Sequence, residues 1–287
     1  MSADILFINA RKNFHSHLAE QVLFVDSDGV PSNADSKNPA SVKIAQILGK
    51  QIGPLQCRTK LKGQVAGNIF EQLCADFVES TFSRLNHLRP GTWTVSKGFG
   101  KSILGISQFE QYEHLAALAV AARANAQLAA ALGNDYLIKP DVVIARYPED
   151  DTIVNSRESL VDEHIANLTS IRKINNTLPL LHANISCKWT LRSDRSQNAR
   201  SEGLNLVRNR KGRLPHIAVV TGEPLPSRIA SIALGTGDID CVYHFALPEL
   251  IHAVTTLELD DSREMLQTMI DGKRLRDIAD LPLDLII

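Results

Sequence analysis

The fold is decided by the stretch Pro140-Asp141-Val142-Val143-Ile144, in which an aspartate immediately precedes a β-branched run. Such a run is typical of a buried strand. A second predicted strand spans residues 178–189 and ends in a polar cluster that includes Ser186 and Lys188. Because these two residues are two positions apart, their side chains point to the same face of the strand. If the two strands are neighbours in one sheet, their ends bring Asp141 and Lys188 together, although 47 positions separate them.

The rest of the chain alternates predicted helices with short predicted strands. Apolar residues recur at helical spacing over 62–85, for example at Ile69, Leu73 and Phe77. The alternation predicts an α/β fold with a central mixed β-sheet flanked by helices. No repeat or long linker divides the sequence, so residues 1–287 are expected to form a single domain. Further helices are predicted over 1–23, near 44–48, and over 109–132, 156–173, 194–211 and 247–275, and further strands over 93–95, 216–220 and 239–244.

The overall composition is that of an ordinary globular protein and does not point to nucleic-acid binding. The apolar share is 44% and the formal net charge is −1. The N terminus has no signal-peptide pattern, and the most apolar stretch, 115–132, is too polar and too alanine-rich to span a membrane. We therefore expect a soluble cytoplasmic protein. The cysteines have no zinc-binding spacing and are expected to be reduced; they are Cys57, Cys74, Cys187 and Cys241.

Charge is concentrated locally in a way that the net value hides. Residues 186–213 contain eight basic and two acidic residues, and eight minus two gives +6. Residues 257–287 contain four basic and eight acidic residues, and four minus eight gives −4. A basic segment that begins directly after a strand is a candidate phosphate-contacting surface. A solvated helix face is the alternative interpretation of the same charges.

The residues at the predicted strand ends suit phosphodiester hydrolysis. A hard cation such as Mg²⁺ takes oxygen ligands from carboxylates and lowers the pKa of a bound water. A lysine such as Lys188 can hold the attacking water. Asp141 alone supplies too few anionic ligands, and Ser186 occupies the position where nucleases of the pattern PD…(D/E)xK carry a second acid. The missing carboxylate must come from elsewhere, and the candidates are Glu202, on the basic helix, and Glu71, on the long amphipathic helix.

The basic helix and the end of the strand before it carry a distinctive motif. It reads Ser186-Cys187-Lys188-Trp189-Thr190-Leu191-Arg192-Ser193-Asp194-Arg195, followed by Asn198, Arg200 and Glu202. This motif resembles the NgoMIV-like, CCGG-recognising type II (type IIF) restriction endonucleases of the PD-(D/E)xK nuclease superfamily. That family replaces the second acid with serine and supplies the carboxylate from the following helix. The resemblance extends over the whole chain and implies a restriction-endonuclease-like fold.

The resemblance also implies which residues carry the chemistry. Its active-site positions correspond to Asp141, Ser186, Lys188, Glu202 and Glu71. The implied cofactor is Mg²⁺, and its implied ligands are Asp141, Glu202 and the main-chain carbonyl of Cys187.

A further set of residues is implied to contact DNA. By resemblance, Arg192, Asp194 and Arg195 read the CCGG core. The chemistry agrees, because arginine suits the guanine acceptors of the major groove and aspartate accepts from cytosine. The remaining implied contacts are Asp35 and Arg228 at an outer G·C pair and Gln64 in the minor groove.

The implied activity is Mg²⁺-dependent cleavage of double-stranded DNA at GCCGGC, leaving four-base 5′ overhangs, in the cytoplasm of a bacterium. The resemblance implies a homotetramer of two dimers back to back, and a two-fold dimer fits a palindromic target. Three alternatives stay open. They are a repair or junction-resolving nuclease of the same fold, a DNA-binding protein that does not cleave, and an α/β enzyme acting on a small phosphorylated molecule. The third is disfavoured because no glycine-rich phosphate loop follows a strand.

Overall fold

The computed structural model describes residues 5–98, 105–133 and 138–287. Within these ranges, six strands form one mixed sheet in the order β1-β2-β3-β4-β5-β6. The first three strands pair antiparallel, and β3 to β6 pair parallel. The predicted mixed α/β sheet is thereby confirmed. The strands are β1 Trp93–Lys97, β2 Val142–Arg146, β3 Leu180–Lys188, β4 His216–Thr221, β5 Cys241–His244 and β6 Leu275–Asp277.

Helices supply the crossovers that the parallel half of the sheet requires. Parallel neighbours cannot be joined by a tight hairpin and need a longer connection, usually a helix. Helix α7 joins β3 to β4, α8 joins β4 to β5, and α9 with α10 joins β5 to β6. The helices are α1 Leu6–Gln21, α2 Pro39–Ile52, α3 Gly63–Phe82, α4 His114–Ala124, α5 Ala126–Leu132, α6 Asp151–Val154, α7 Ser193–Asn209, α8 Pro226–Ala233, α9 Leu247–Thr256, α10 Asp260–Asp271 and α11 Leu281–Asp284.

Part of the core lies between α3 and the sheet, and the buried residues of α8, α9 and α10 belong to the same core. Helix α3 buries Phe70, Leu73, Cys74 and Phe77, which recur at the spacing of one helix face. It contacts α1 on one side and β1 and β3 on the other. Strand β3 is buried along almost its whole length, as expected for a strand covered on both faces. None of the helices in the described ranges combines the length and apolar character needed to cross a bilayer.

The register of the sheet brings the two predicted strand ends together. Strand β2 runs antiparallel to β3, with Val142 opposite Ile185. Asp141, just before β2, therefore lies beside the end of β3. On the other side, Lys188 is paired with Thr221 of β4. The end of β3 is thus flanked by an aspartate on one side and by the end of a parallel strand on the other.

Two of the predicted helices are divided in the structure, the first of them by a side-chain cap. The helix predicted over 109–132 is divided at Asn125, whose side chain accepts hydrogen bonds from the amides of Gln127 and Leu128 and so caps a new helix, α5. The helix predicted over 247–275 is divided between α9 and α10, and its end becomes strand β6. A capping asparagine offers the backbone a competing partner that apolar periodicity does not reveal.

The prediction of a helix over 156–173 was wrong, because this segment is irregular throughout. Arg172 is 1% exposed and provides the physical reason. Its guanidinium bonds the Asp151 carboxylate and the main-chain carbonyls of Asp162 and Ile165. Those carbonyls turn toward a buried charge and are therefore not available for helical hydrogen bonds. A buried arginine needs hydrogen-bond partners for its guanidinium, and here these hydrogen bonds outweigh the helix propensity of the segment.

Candidate active site

Asp141 is the centre of a hydrogen-bond network at the end of β3. Its Oδ2 accepts from Lys188 Nζ at 2.7 Å, from the Cys187 amide at 2.8 Å and from Ser186 Oγ at 3.4 Å. Both side chains of the Asp141–Lys188 pair are 17% exposed. The main chain of Cys187 also belongs to this network, because its N–H donates to Asp141. The structure therefore brings together the aspartate, the serine and the lysine that the sequence singled out.

Glu202 reaches this network from helix α7. The Asn184 side-chain amide donates to Glu202 Oε1 at 3.2 Å. Burial, together with the negative charge of Asp141, raises the pKa of Glu202 to about 7. The next residue, Gly203, lets α7 pack closely against the segment before β5, since a Cβ there would lie 2.4 Å from the carbonyl oxygen of Asp238. The carboxylate that Ser186 cannot supply is thus provided by the helix that follows β3.

Glu71 comes close from the opposite side, on α3. Its Oε2 lies 3.7 Å from Lys97 Nζ. Burial and the charge of Asp141 raise its pKa. Burial by itself lowers the pKa of Lys188, but the negative charges of Asp141 and Glu202 outweigh this effect, and the pKa is raised. Three carboxylates and two ammonium groups therefore interact in one cluster of side chains, here called the carboxylate pocket, and the negative charge is in excess.

Two members of this pocket, Lys97 and Asn184, were missed by sequence reasoning. Lys97 lies at the end of β1 and is paired with Val142, next to Asp141. Nothing in the sequence indicates which strand β1 pairs with. Asn184 had a usable signal, since it shares a face of β3 with Ser186 and stands two positions before it. A polar side chain at that position in an otherwise apolar strand is a candidate site residue.

The donor set fits a magnesium ion. Asn184 Oδ1 is buried and has no hydrogen-bond partner in the structure, so one oxygen beside Glu202 is left unsatisfied. Mg²⁺ takes oxygen ligands, retains several waters and is often held by one or two carboxylates plus substrate phosphate. In the described parts of the chain, no three side chains of His, Cys, Asp or Glu form a complete metal cluster. The pocket is thus chemically suited to a cation whose remaining ligands are water and phosphate.

The predicted core-reading residues follow directly from the end of β3. Arg192 is the N-cap of α7 and is exposed, and Asp194 is exposed in the first turn. Arg195 is half-buried, and its Nη1 donates to Thr190 Oγ1 at 2.8 Å. The start of α3 lies against it, because a Cβ on Gly63 would be 3.2 Å from Arg195 Nη2. Gln64, the next residue, is exposed at this edge.

The two predicted outer-pair residues contact each other. Arg228 Nη2 donates to Asp35 Oδ2, although the two residues are 193 positions apart. That hydrogen bond and the nearby Arg192 charge help to lower the pKa of Asp35. A single cleft is lined by Asp35, Arg192, Arg195 and Arg228. Residues from both sets of predicted DNA contacts therefore line the same cleft.

A mixed sheet with an aspartate–lysine pair at adjacent strand ends, and a carboxylate returned by the next helix, defines the class of restriction-endonuclease-like α/β enzymes. Comparison with known proteins agrees. The family described as NgoMIV restriction enzyme matches residues 14–287. The type II restriction enzyme NgoMIV of Neisseria gonorrhoeae is 53% identical over 283 residues, covering 98% of this chain and 99% of that protein. The chain belongs to the NgoMIV restriction enzyme family and is a type II restriction endonuclease, which confirms the predicted family and enzyme class.

Proposed function

We propose that this enzyme hydrolyses double-stranded DNA at the palindrome GCCGGC, with Mg²⁺ as cofactor, and leaves four-base 5′ overhangs. One observation carries the proposal. A cluster with more carboxylates than ammonium groups surrounds Asp141 and Lys188, and the two residues after Lys188, Trp189 and Thr190, line the same cleft as Arg192 and Arg195. The pocket suits a cation and a phosphate, and the surface suits guanine.

In this proposal the pocket residues position the phosphate and the attacking water. Asp141, Glu202 and the Cys187 carbonyl would hold Mg²⁺, which offsets phosphate charge and acidifies a bound water. Lys188, fixed by its 2.7 Å contact with Asp141, orients the nucleophile and offsets charge in the transition state. Ser186, buried beside Asp141, positions Lys188 or the phosphate. Glu71 assists from the other side of Asp141, where it is balanced by Lys97.

The surface beside the pocket reads the sequence. The exposed Arg192 and Asp194 and the half-buried Arg195 recognise the CCGG core through guanine acceptors and cytosine donors. The Asp35–Arg228 pair recognises the outer G·C pair, because it offers a carboxylate acceptor next to an arginine donor. Gln64 contacts the minor groove from the exposed start of α3.

We propose that the enzyme assembles as a homotetramer of two dimers and acts in the bacterial cytoplasm. A palindromic target favours a two-fold dimer. Support for a further interface comes from the irregular segment after α6. Hydrogen bonds of Arg172 hold this segment in place, and the segment exposes apolar side chains. A cluster of exposed apolar residues in one ordered segment is typical of an interaction surface. In this segment the exposed apolar residues are Leu160, Ile165, Leu168 and Ile174, and Ile153 is exposed on α6 itself.

Digestion of a plasmid of known sequence in Mg²⁺, followed by sequencing of the product ends, tests the proposed activity. We expect discrete fragments that all end within GCCGGC and carry four-base 5′ overhangs. Nicking that depends on DNA structure would instead support a repair or junction-resolving nuclease. Tight binding to GCCGGC without cleavage in Mg²⁺ would support a DNA-binding protein.

A further inference from the structure

Glu223 is a buried carboxylate that lies between the two DNA-reading segments. Its side chain is 0% exposed. Oε2 accepts from the Leu191 amide at 2.7 Å, and Oε1 accepts from the Leu225 amide at 3.2 Å. Leu191 immediately precedes Arg192, and Leu225 is the N-cap of α8, the helix that carries Arg228. One carboxylate thus fixes the backbone at the entrance to both segments.

The same carboxylate also faces the side chain of Arg228. Arg228 Nη1 lies 3.7 Å from Glu223 Oε2, while its Nη2 bonds Asp35. The guanidinium is therefore held between a buried carboxylate and a partly exposed one. This arrangement fixes the direction in which Arg228 can present its remaining donors.

The short segment 221–223 connects these contacts to the catalytic strand. Thr221 Oγ1 donates to the Lys188 carbonyl at 2.8 Å and accepts from the Glu223 amide at 3.2 Å. A Cβ on Gly222 would lie 2.5 Å from the Trp189 ring, so only glycine fits between them. The Gly222 carbonyl accepts from the side chain of the buried Asn33, two positions before Asp35. This segment therefore touches the end of β3 and both reading segments.

A buried carboxylate in such a place requires an explanation. Removing a charge from water is expensive, and well-packed apolar side chains of similar volume can often replace buried charged groups at little or no cost in stability. Burial raises the pKa of Glu223 to about 7 even though two amides donate to it. This unfavourable burial occurs where the carboxylate contacts both the Leu191 amide and the Arg228 guanidinium. Conformational specificity of the reading surface is a physical reason for retaining it.

We propose that Glu223 is a positioning residue that couples recognition of the CCGG core to recognition of the outer base pair. The proposal rests on the proposed DNA-reading function of this surface and deepens it. Because one side chain orders the backbone before Arg192 and the guanidinium of Arg228, a wrong base at either position disturbs both segments. Discrimination at the inner and outer pairs is then linked through Glu223.

The substitution Glu223→Gln tests this coupling with almost no change in volume. Glutamine keeps one acceptor, but its NH₂ group faces an N–H, so one buried amide loses its partner. Arg228 also loses its second negative neighbour. Leaving a buried donor unsatisfied changes a binding equilibrium by roughly 10- to 100-fold. We expect the loss to appear in discrimination rather than in the hydrolytic step, since Glu223 does not contact the carboxylate pocket.

The experiment measures kcat/KM on three duplexes in Mg²⁺: one with GCCGGC, one with ACCGGT and one with GCATGC. We expect E223Q to lower both discrimination ratios, outer and inner, by about 10-fold or more. D35N is expected to lower the outer ratio only. The ratios cancel the fraction of active enzyme, so partial unfolding does not alter them. The matched control is E249Q, which removes a carboxylate paired with Arg11 and leaves both ratios unchanged.

Glu223→Asp is a second variant in case E223Q does not fold. It keeps the charge, but its shorter side chain reaches only one of the two amides, so both ratios are expected to fall less than in E223Q. Ratios equal to those of the wild type, or a fall in the outer ratio alone, would overturn the coupling. A wild-type enzyme that cuts no duplex containing GCCGGC would instead overturn the proposed function, and the coupling with it.

Discussion

The Asp141–Lys188 pair and the Asp35–Arg228 pair are similar in exposure but differ in the charge that surrounds them. The side chains are 17% exposed in the first pair and 19% and 27% exposed in the second. Around the first, burial and the negative charge of Asp141 raise the pKa values of Glu202 and Glu71. Around the second, arginines help to lower the pKa of Asp35. The same kind of ion pair therefore belongs to a cluster of carboxylates in one region and to an arginine-rich surface in the other.

This difference underlies our proposal that one fold separates cutting from reading. The first pair lies between strands of the sheet, where the register of β2 and β3 fixes it. The second joins the loop before α2 to α8, two elements outside the sheet. Rigid elements hold reacting groups in place, and connecting segments carry specificity. The account predicts that substitutions in the first region abolish hydrolysis and that substitutions in the second relax specificity.

Asp141→Asn is the change with the largest expected effect. Asparagine keeps the shape but removes the charge that holds Lys188 and would hold the metal, so several kcal/mol of transition-state stabilisation are lost. We expect cleavage of a GCCGGC duplex to fall by about 1,000-fold or more, measured as a single-turnover rate. Specific binding without metal should persist. Cleavage within tenfold of the wild type would contradict the assignment of Asp141.

Arg228→Lys is expected to act on specificity. Lysine keeps the charge but loses the planar fork that faces both Asp35 and a guanine. The ratio of cutting at GCCGGC to cutting at ACCGGT should fall by roughly 10- to 100-fold. Arg263→Lys, in an exposed pair with Asp260, serves as the control and should leave the ratio unchanged. A large loss of cutting with an unchanged ratio would mean that Arg228 does not read the outer pair.

The requirement for Mg²⁺ should depend on pH through Glu202. Its pKa is raised from the ordinary value to about 7, so below pH 7 the metal-free protein carries a proton that a cation must displace. The half-saturating Mg²⁺ concentration for cleavage should therefore stay nearly constant above pH 7. It should rise by up to about tenfold per pH unit below it. A half-saturating concentration that does not change between pH 6 and pH 8 would exclude this role for Glu202.

Leu168→Glu has the smallest expected effect on either ion pair. Leu168 is 97% exposed in the segment folded around Arg172. A charge there should weaken the proposed contact between dimers without touching the pocket or the reading surface. Light scattering should show a smaller assembly, while the single-turnover rate on one GCCGGC duplex stays within a few-fold of the wild type. An unchanged molar mass would remove this segment from the interface.

The sequence predicted the first region better than the second. Asp141 and Lys188 each stand at the end of a β-branched or apolar strand, and only one assumption, that the strands are neighbours, was needed to join them. The absence of an acid at Ser186 required a carboxylate from elsewhere, for which Glu202 and Glu71 were the candidates. The pairing of Asp35 with Arg228 came from resemblance alone, since no local pattern connects residues 193 positions apart.

The parts that could not be predicted depend on long-range satisfaction of buried polar groups. Lys97 enters the pocket only through the pairing of β1 with β2. Glu223 has no local motif, and its importance is visible only when the amides of Leu191 and Leu225 are seen to converge on it. The helix predicted over 156–173 is absent because the main chain there bonds Arg172. In each case a tertiary contact determines the outcome, and periodicity does not report it.

The most direct test of the account is to measure, in one preparation of the Lys188→Ala enzyme, the affinity for a GCCGGC duplex and the single-turnover rate of its cleavage. Lys188 belongs to the cutting region and contacts none of the reading residues. We expect an affinity within a few-fold of the wild type and a cleavage rate lower by about 1,000-fold or more. Undiminished cutting, or loss of specific binding together with cutting, would contradict the separation of the two regions.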